Sequence, residues 1–213
     1  LGIPYDSRRG VEFGDALMKF VDEHARRASG ELARERGLFP NWSGSTWRKK
    51  KQQMRNASLT CVAPTGTISI IADCSCGIEP IYSLVFVRQI LEGTTMLQID
   101  PVFRRVAEKG GFYSSKLQRQ IAETGSIRKL TRIPAGIRRV FKGAYDIEPH
   151  WHIRMQAAFQ QHCDAAVSKT INFSEKTTVA AVDRAYRSAY HLGCKGVTIY
   201  RQGSRDQEPM SLY

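Results

Sequence analysis

The sequence predicts an α/β fold, and three observations support this prediction. Four segments near the C-terminus alternate between helical and strand-like patterns. Earlier in the chain, a β-prone run leads directly into a proline and a nearby glycine. Across 213 residues, an apolar share of 42% and a charged share of 24% are ordinary for a globular protein with a substantial core. Alternating helix and strand patterns favour parallel strands joined by helices.

The first part of the chain begins with a predicted long amphipathic helix. Asp6 or Ser7 is a suitable N-cap, apolar residues recur at helical spacing to about Arg36, and a glycine follows. A polar, basic loop with a short helix is expected over 41–53. The next run, 57–63 (Ala-Ser-Leu-Thr-Cys-Val-Ala), predicts a buried strand.

The middle of the chain alternates between short elements. A strand or extended segment is predicted over 84–90, then a short helix over 100–109 that two glycines close, and then weak helical pieces over 117–147. Apolar residues then share one face of a predicted strong helix over 150–167.

The last part of the chain completes the alternation. A short strand is predicted over 169–173, followed by a helix that Thr177 or Thr178 caps and Gly193 ends, and by a strand over 196–200. The final residues carry no such pattern. We therefore expect one domain over 1–205 and a loose tail over 206–213.

Composition indicates where this protein is expected to be found and which partners its charge would attract. No apolar stretch approaches the roughly 20 residues that span a bilayer, so no membrane association is expected. An odd number of cysteines without a secretion signal favours reduced thiols and a cytoplasmic location. The net charge of +12 fits either a solvated basic surface or attraction to a polyanion, and charge alone leaves both open. The cysteines are Cys61, Cys74, Cys76, Cys163 and Cys194.

One short motif carries a chemical prediction. A glycine flanked by small hydroxyl residues lets the backbone turn and expose N–H groups, which together with the hydroxyls form an anion site without a lysine. By pattern alone, an ordinary tight turn is the more frequent reading. We expect residues 64–69 to lie in a turn at the end of the strand predicted over 57–63. This candidate loop consists of Pro64, Thr65, Gly66, Thr67, Ile68 and Ser69.

The candidate loop and its flanks resemble ribonucleotide reductase large subunits. Before it stands Arg-Asn-Ala-Ser-Leu-Thr (55–60), and after it Gly-Ile-Glu-Pro-Ile-Tyr (77–82). Ala-Ala-Val-Ser-Lys-Thr-Ile-Asn-Phe (165–173) and Leu-Gly-Cys-Lys-Gly-Val-Thr-Ile-Tyr-Arg (192–201) resemble the adenosylcobalamin-dependent, class II branch. Leu-Gly-Ile-Pro-Tyr-Asp at the start also fits. The resemblance covers nearly the whole chain in the family's order.

The resemblance implies the second half of a ten-stranded α/β barrel, with flanking helices. It implies reduction of a ribonucleotide, as a di- or triphosphate, to a 2′-deoxyribonucleotide by thiyl-radical chemistry. Adenosylcobalamin would be the cofactor in the full-length enzyme, a thioredoxin- or glutaredoxin-type protein the reductant, and a homodimer the assembly. The candidate loop would bind the substrate phosphate, with Ser69 its least certain member.

This chain departs from the family pattern at the catalytic residues. The radical-bearing Asn-Pro-Cys-Gly-Glu motif is absent from the sequence, and its place in the family's order is upstream of Leu1. The general-base glutamate and the redox cysteine pair are also expected upstream. We therefore assign no catalytic residue and no metal ligand here, and expect the chain to be part of a longer protein.

Other chemical signals have simpler structural readings. Cys74 and Cys76 are expected to be neither disulfide-bonded nor metal-bound, since a one-residue gap is poor for a disulfide and no second cysteine pair with zinc-site spacing accompanies them. The family resemblance implies small residues at this place, so both are expected to be small buried side chains. His150 and His152 point to different faces of a helix. The run His-Cys-Asp (162–164) is expected to pack in the core. Glu79, beside the candidate loop, is expected to shape the site through an ion pair and not to act as the general base.

A non-catalytic basic module that binds nucleic acid or another anion is the rival function. It predicts clustered lysines and arginines on one face with interleaved aromatic residues. The one dense basic run, Arg-Lys-Lys-Lys over 48–51, reads as a solvated loop.

Overall fold

The computed structural model describes residues 1–72, 74–89 and 95–204. In those ranges, no helix is both long and apolar enough to span a membrane. The tail predicted over 206–213, and Ile90 of the predicted strand 84–90, lie outside the described residues. The strands are β1 (Val85–Gln89), β2 (Thr95–Ile99), β3 (Thr170–Phe173) and β4 (Thr198–Arg201). The helices are α1 (Arg8–Arg36), α2 (Thr46–Lys49), α3 (Gly66–Ile71), α4 (Pro101–Lys109), α5 (Ser115–Thr124), α6 (Ala135–Val140), α7 (Pro149–Gln160) and α8 (Val179–His191).

Helix α1 forms where the sequence predicts it because both ends are capped. Ser7 Oγ accepts the N–H of Gly10 at 3.0 Å. Gly37 ends the helix with φ of +81°, a backbone region that glycine enters without steric cost. A Cβ atom on Gly14 would lie 2.8 Å from Sδ of Met155, so the missing side chain lets α1 approach α7 closely.

The C-terminal elements form the predicted parallel α/β unit. Strand β3 pairs with β4 in parallel, with Ile171 opposite Ile199, and α8 connects the two strands. Ile171 packs in a buried apolar cluster with Ile153 of α7, Phe173, and Ala185 of α8. Burying this apolar surface is the main source of stability for the unit.

Two glutamines of α7 hold the starts of both parallel strands. Gln156 Nε2 donates to the carbonyl oxygens of Val167 at 3.2 Å and Gly196 at 2.7 Å. Gln160 Nε2 donates to Ala165 O at 2.8 Å. These side chains therefore donate hydrogen bonds to carbonyl groups that lie outside the two-stranded ladder. Buried backbone carbonyl groups require such partners.

A second apolar core is formed by the elements from β1 to α6 in chain order. Strands β1 and β2 pair antiparallel, with Val85 opposite Ile99. Phe103, which Asp100 places at the start of α4 by capping, is fully buried in this core with Leu117. The sequence analysis missed β2, because Met, Leu and Gln within it favour helix in isolation. Pairing with β1 overrides that preference.

The strand predicted over 57–63 is wrong except at one residue. Val62 makes an isolated parallel bridge with Val167. The rest of the run is held irregularly, because the carboxylate of Asp164 accepts the Leu59 N–H at 2.8 Å where a ladder would need a carbonyl. The residues of this run are exposed or half-buried, so the prediction of a buried strand is wrong in burial as well as in pairing.

The helix predicted over 150–167 is too long, since α7 ends at Gln160. The N–H of Cys163 returns to Gln160 O at 3.3 Å, and the chain turns so that Val167 can reach Val62. No glycine or proline marks this end. Long-range pairing, and not local sequence, therefore sets the boundary.

We predict that Phe103→Ala lowers the free energy of unfolding of this chain by about 3–5 kcal/mol, because it opens a cavity in the second core. Phe20→Ala is the control: the same change on α1 at a side chain that is 58% exposed should alter it by less than about 1 kcal/mol. Urea unfolding of the two variants measures the difference. Equal losses would contradict the assignment of Phe103 to a packed core.

Candidate functional site

The candidate loop forms the entry to helix α3. Thr65 precedes the first helical turn, and Gly66 to Ile71 are helical. The expectation that residues 64–69 lie in a turn is therefore wrong from Gly66 onward, while Pro64 and Thr65 do lie outside the helix. By helix geometry, the first N–H groups of α3 have no carbonyl partner within the helix. Gly66, Thr67 and Ile68 are exposed, so these donors face the surface.

The side chains of the candidate loop differ in what they do. Ser69 is buried, and its Oγ donates to Gly66 O at 2.8 Å, so this hydroxyl supports the helical turn and is not an outward donor as expected. Gly66 is helical without a positive φ, and a Cβ there would meet nothing within 4 Å. The missing side chain of Gly66 therefore leaves open space at the first turn of α3. The residue is not needed for a strained backbone conformation.

Residues 63–72 and 74–78, here called the loop segment, contain the candidate loop and are fixed at both ends to one strand. At the incoming end, Ser168 donates its N–H to Val62 O at 2.8 Å. At the outgoing end, Glu79 Oε1 accepts the N–H of Thr170 at 2.6 Å. The strand that receives both ends is β3 together with the residues just before it.

A buried charged cluster closes the outgoing end. The Lys169 side chain is 0% exposed, and its Nζ donates to Glu79 Oε2 at 2.5 Å. It also donates to His152 Nδ1 at 2.8 Å and to the carbonyl of Thr170. An ammonium group has three protons, so this arrangement satisfies all of them. The expected ion pair of Glu79 is confirmed, and its partner is Lys169.

The cluster fixes the protonation of His152. Its Nδ1 accepts from the ammonium group, so the ring proton lies on Nε2, which donates to Ala144 O at 3.1 Å. Burial and the charge of Lys169 lower the pKa of His152 from 6.5 to about 3. Burial also lowers the pKa of Lys169, and the Glu79 carboxylate opposes that shift. The imidazole is therefore neutral at physiological pH.

The sequence analysis did not assign Lys169 and His152 to any site. The signal was present: a lysine begins the apolar strand of Lys-Thr-Ile-Asn-Phe (169–173), and a buried lysine needs an acidic partner. Removing one member of a buried ion pair typically costs about 3–5 kcal/mol, because the other charge is left without a partner.

The cysteines near the candidate loop are more accessible than predicted. Cys74 is exposed and Cys76 is half-buried, so the expectation of small buried side chains is wrong. Cys76 Sγ lies 3.6 Å from Thr65 Oγ1, which links the outgoing part of the loop segment to the start of α3. Cys163 is buried as expected, while neighbouring His162 pairs with Asp15 at 2.9 Å.

The basic run over 48–51 does not form a stacking surface. Trp47 is buried, with Arg26 over its ring at 4.8 Å from the centroid and Lys50 at 5.4 Å. Nucleic-acid binding by stacking needs an exposed aromatic face. This arrangement therefore gives no support to the rival function.

We predict that His152 makes stability depend on pH. Its folded-state pKa of about 3 lies below the ordinary 6.5, so the unfolded chain takes up a proton that the folded chain excludes. This contribution to stability is present above pH 6.5 and is lost as the pH falls toward 3, by at most about 1.4 kcal/mol per pH unit.

The test compares urea unfolding between pH 7 and pH 5 for the wild type and His152→Gln, which keeps one acceptor and one donor without titrating there. Wild type should lose more stability than the variant over this range. His24→Gln, at an exposed histidine, should behave as wild type. Parallel curves for wild type and His152→Gln would contradict the neutral, buried imidazole.

Comparison with known proteins agrees with this architecture. The family model described as the ribonucleotide reductase barrel domain matches residues 1–55 and 48–200. The vitamin B12-dependent ribonucleoside-diphosphate reductase of Thermoplasma acidophilum is 47% identical over 96% of this chain. The protein of the same name from Mycobacterium tuberculosis is 44% identical over 99% of it. The chain spans 27% and 30% of the length of these relatives.

A solved structure supports the fold in particular. The alpha subunit of the Actinobacillus ureae class Id ribonucleotide reductase superposes with a TM-score of 0.80 at 23% identity, covering 95% of this chain and 36% of that one. The prediction of part of the family's α/β barrel is thereby confirmed. The chain belongs to the ribonucleotide reductase family and contains part of its barrel domain.

Proposed function

We propose that this chain supplies the substrate-phosphate loop, Pro64–Ser69, of an adenosylcobalamin-dependent ribonucleoside-diphosphate reductase. The observation that carries the proposal is the match to two relatives of that name over nearly the whole chain, including the candidate loop. The full reaction, its cofactor and its partners belong to a longer protein.

The geometry of the candidate loop supports phosphate binding. The first N–H groups of α3 are available as donors at an exposed surface, and the Thr67 hydroxyl is also exposed. Gly66 leaves room for a ligand to approach these groups. A net charge of +12 adds long-range attraction for a nucleotide polyanion. We infer that residues 65–68 bind and orient the phosphate.

Two cavities among the described residues measure about 130 and 410 Å³, and neither is lined by the candidate loop. We place the radical cysteine, the general-base glutamate and the redox cysteine pair in other parts of the full-length enzyme. The role of this chain is to hold the substrate.

The relatives' names favour a ribonucleoside diphosphate as substrate. A thioredoxin- or glutaredoxin-type protein would return electrons to the enzyme, and the full-length protein would be a homodimer. The five cysteines are free thiols, which fits a reducing compartment such as the cytoplasm.

We predict that Gly66→Val in the full-length enzyme raises the nucleotide KM at least about tenfold. A side chain at this open position blocks the first N–H groups, and losing even one charge-assisted hydrogen bond costs about 1.5–3 kcal/mol. Gly136→Val is the matched control, because Gly136 also lies in the first turn of a short helix, with nothing within 4 Å of its Cβ position. Steady-state kinetics with a ribonucleoside diphosphate would count against the proposal if both variants had the same KM.

We also predict that the 213-residue chain alone produces no deoxyribonucleotide, even with adenosylcobalamin and a dithiol. Hydrogen abstraction needs a cysteine sulfur within roughly 3–3.5 Å of the 3′ carbon, and none of the cysteines here stands in the radical motif. Product formation is compared with that of the full-length enzyme. Activity of the short chain would assign the radical to a cysteine near the candidate loop, such as Cys61 or Cys74.

A further inference from the structure

Both ends of the loop segment are hydrogen-bonded to the same short stretch of the chain. Its incoming end is bonded to Ser168 and its outgoing end to Thr170, two residues apart on the same chain. The loop segment is therefore closed at its base, which is the pair of attachments to Ser168 and Thr170. The position of the candidate loop depends on how firmly that base is held.

The two attachments at the base differ in kind. The incoming end is held by backbone contacts of Val62 with Val167 and Ser168, and by packing of the Val62 side chain against an apolar cluster that contains Val167. The outgoing end is held by side chains, because Glu79 takes the Thr170 N–H on one oxygen and the Lys169 ammonium on the other. The attachment at Glu79 is therefore the one that a single lysine controls.

A path of contacts leads from Lys169 to the candidate loop. The backbone N–H of Glu79 donates to Cys76 O at 2.9 Å, which closes a tight turn. Cys76 Sγ contacts Thr65 Oγ1 at the start of α3. Tyr5 adds a second support, since its hydroxyl donates to Ile78 O at 2.9 Å. The buried lysine thus lies three contacts away from Thr65 of the candidate loop.

We propose that Lys169 is a positioning residue: its buried ammonium group holds the outgoing end of the loop segment, and thereby keeps the candidate loop in place for nucleotide binding. The claim that Lys169 holds the loop segment is independent of the proposed function. The claim that this serves nucleotide binding rests on the proposed function. Lys169 contacts no ligand in this scheme. Buried ion pairs are often replaceable by apolar pairs without loss of stability, so fixing the geometry of the loop segment is a role that apolar substitutes would not fill.

The experiment uses the full-length enzyme and a pair of changes. Lys169→Met alone leaves the Glu79 carboxylate without its partner and risks misfolding, so Glu79→Leu with Lys169→Met is the principal variant. Asp22→Leu with Arg26→Met is the matched control, because it removes a largely buried carboxylate and its cation within α1. Hydrogen exchange of the amides of residues 65–72 and the Kd of a ribonucleoside diphosphate are measured for each.

The expected result for the Glu79–Lys169 double variant is at least tenfold faster exchange at residues 65–72, at least tenfold weaker nucleotide binding, and a melting temperature near that of the wild type. The control should change neither exchange nor Kd by more than twofold. A folded double variant with both quantities within twofold of wild type would overturn the proposal.

The two proposals fail separately. If Gly66→Val leaves nucleotide binding intact, the assignment of the candidate loop to phosphate is wrong. Hydrogen exchange, which needs no nucleotide, still decides in that case whether Lys169 holds the loop segment.

Discussion

The need to satisfy one buried ammonium group connects the parts of this structure. Lys169 takes its three acceptors from three different places: the segment after α3, helix α7, and the backbone of β3. A lysine without these partners would be too costly to bury. Each acceptor must therefore be held at its distance, and this requirement fixes how the loop segment, α7 and β3 lie relative to one another.

Helix α7 is the element on which this arrangement is built. Its His152 contacts the ammonium group, Ile153 packs under the parallel strands, and Gln156 holds the carbonyl groups at the start of both. The opposite side of α7 receives α1 at Gly14. One helix thus provides apolar packing, partners for backbone carbonyl groups and an acceptor for the buried charge, which explains why its residues His152, Gln156 and Gln160 are buried.

Several apolar side chains remain exposed beside this framework. Ile70 and Ile71 of α3 are 69% and 80% exposed, and the parallel sheet has two strands. Such surfaces are typical of one part of a larger core. They agree with a chain that spans about 30% of the length of its relatives, where further strands of the barrel would cover them.

The sequence by itself determined the elements whose signals are local. Ser7 and Gly37 mark the ends of α1, and alternating patterns identify α8, β3 and β4, because caps and periodicity act within a few residues. Family motifs identified the candidate loop and the class of enzyme. An ion pair at Glu79 was also predictable, because a carboxylate in an apolar context needs a partner.

Tertiary structure decided everything that depends on residues far apart. The pairing of Val62 with Val167 ended α7 early and left the expected strand with one bridge. Strand β2 formed against its own preference because β1 lies beside it. Lys169 became the partner of Glu79 across 90 residues, and His152 became its neutral acceptor. Sequence periodicity carries no information on such contacts, since burial and charge compensation are set only when the separate elements have packed.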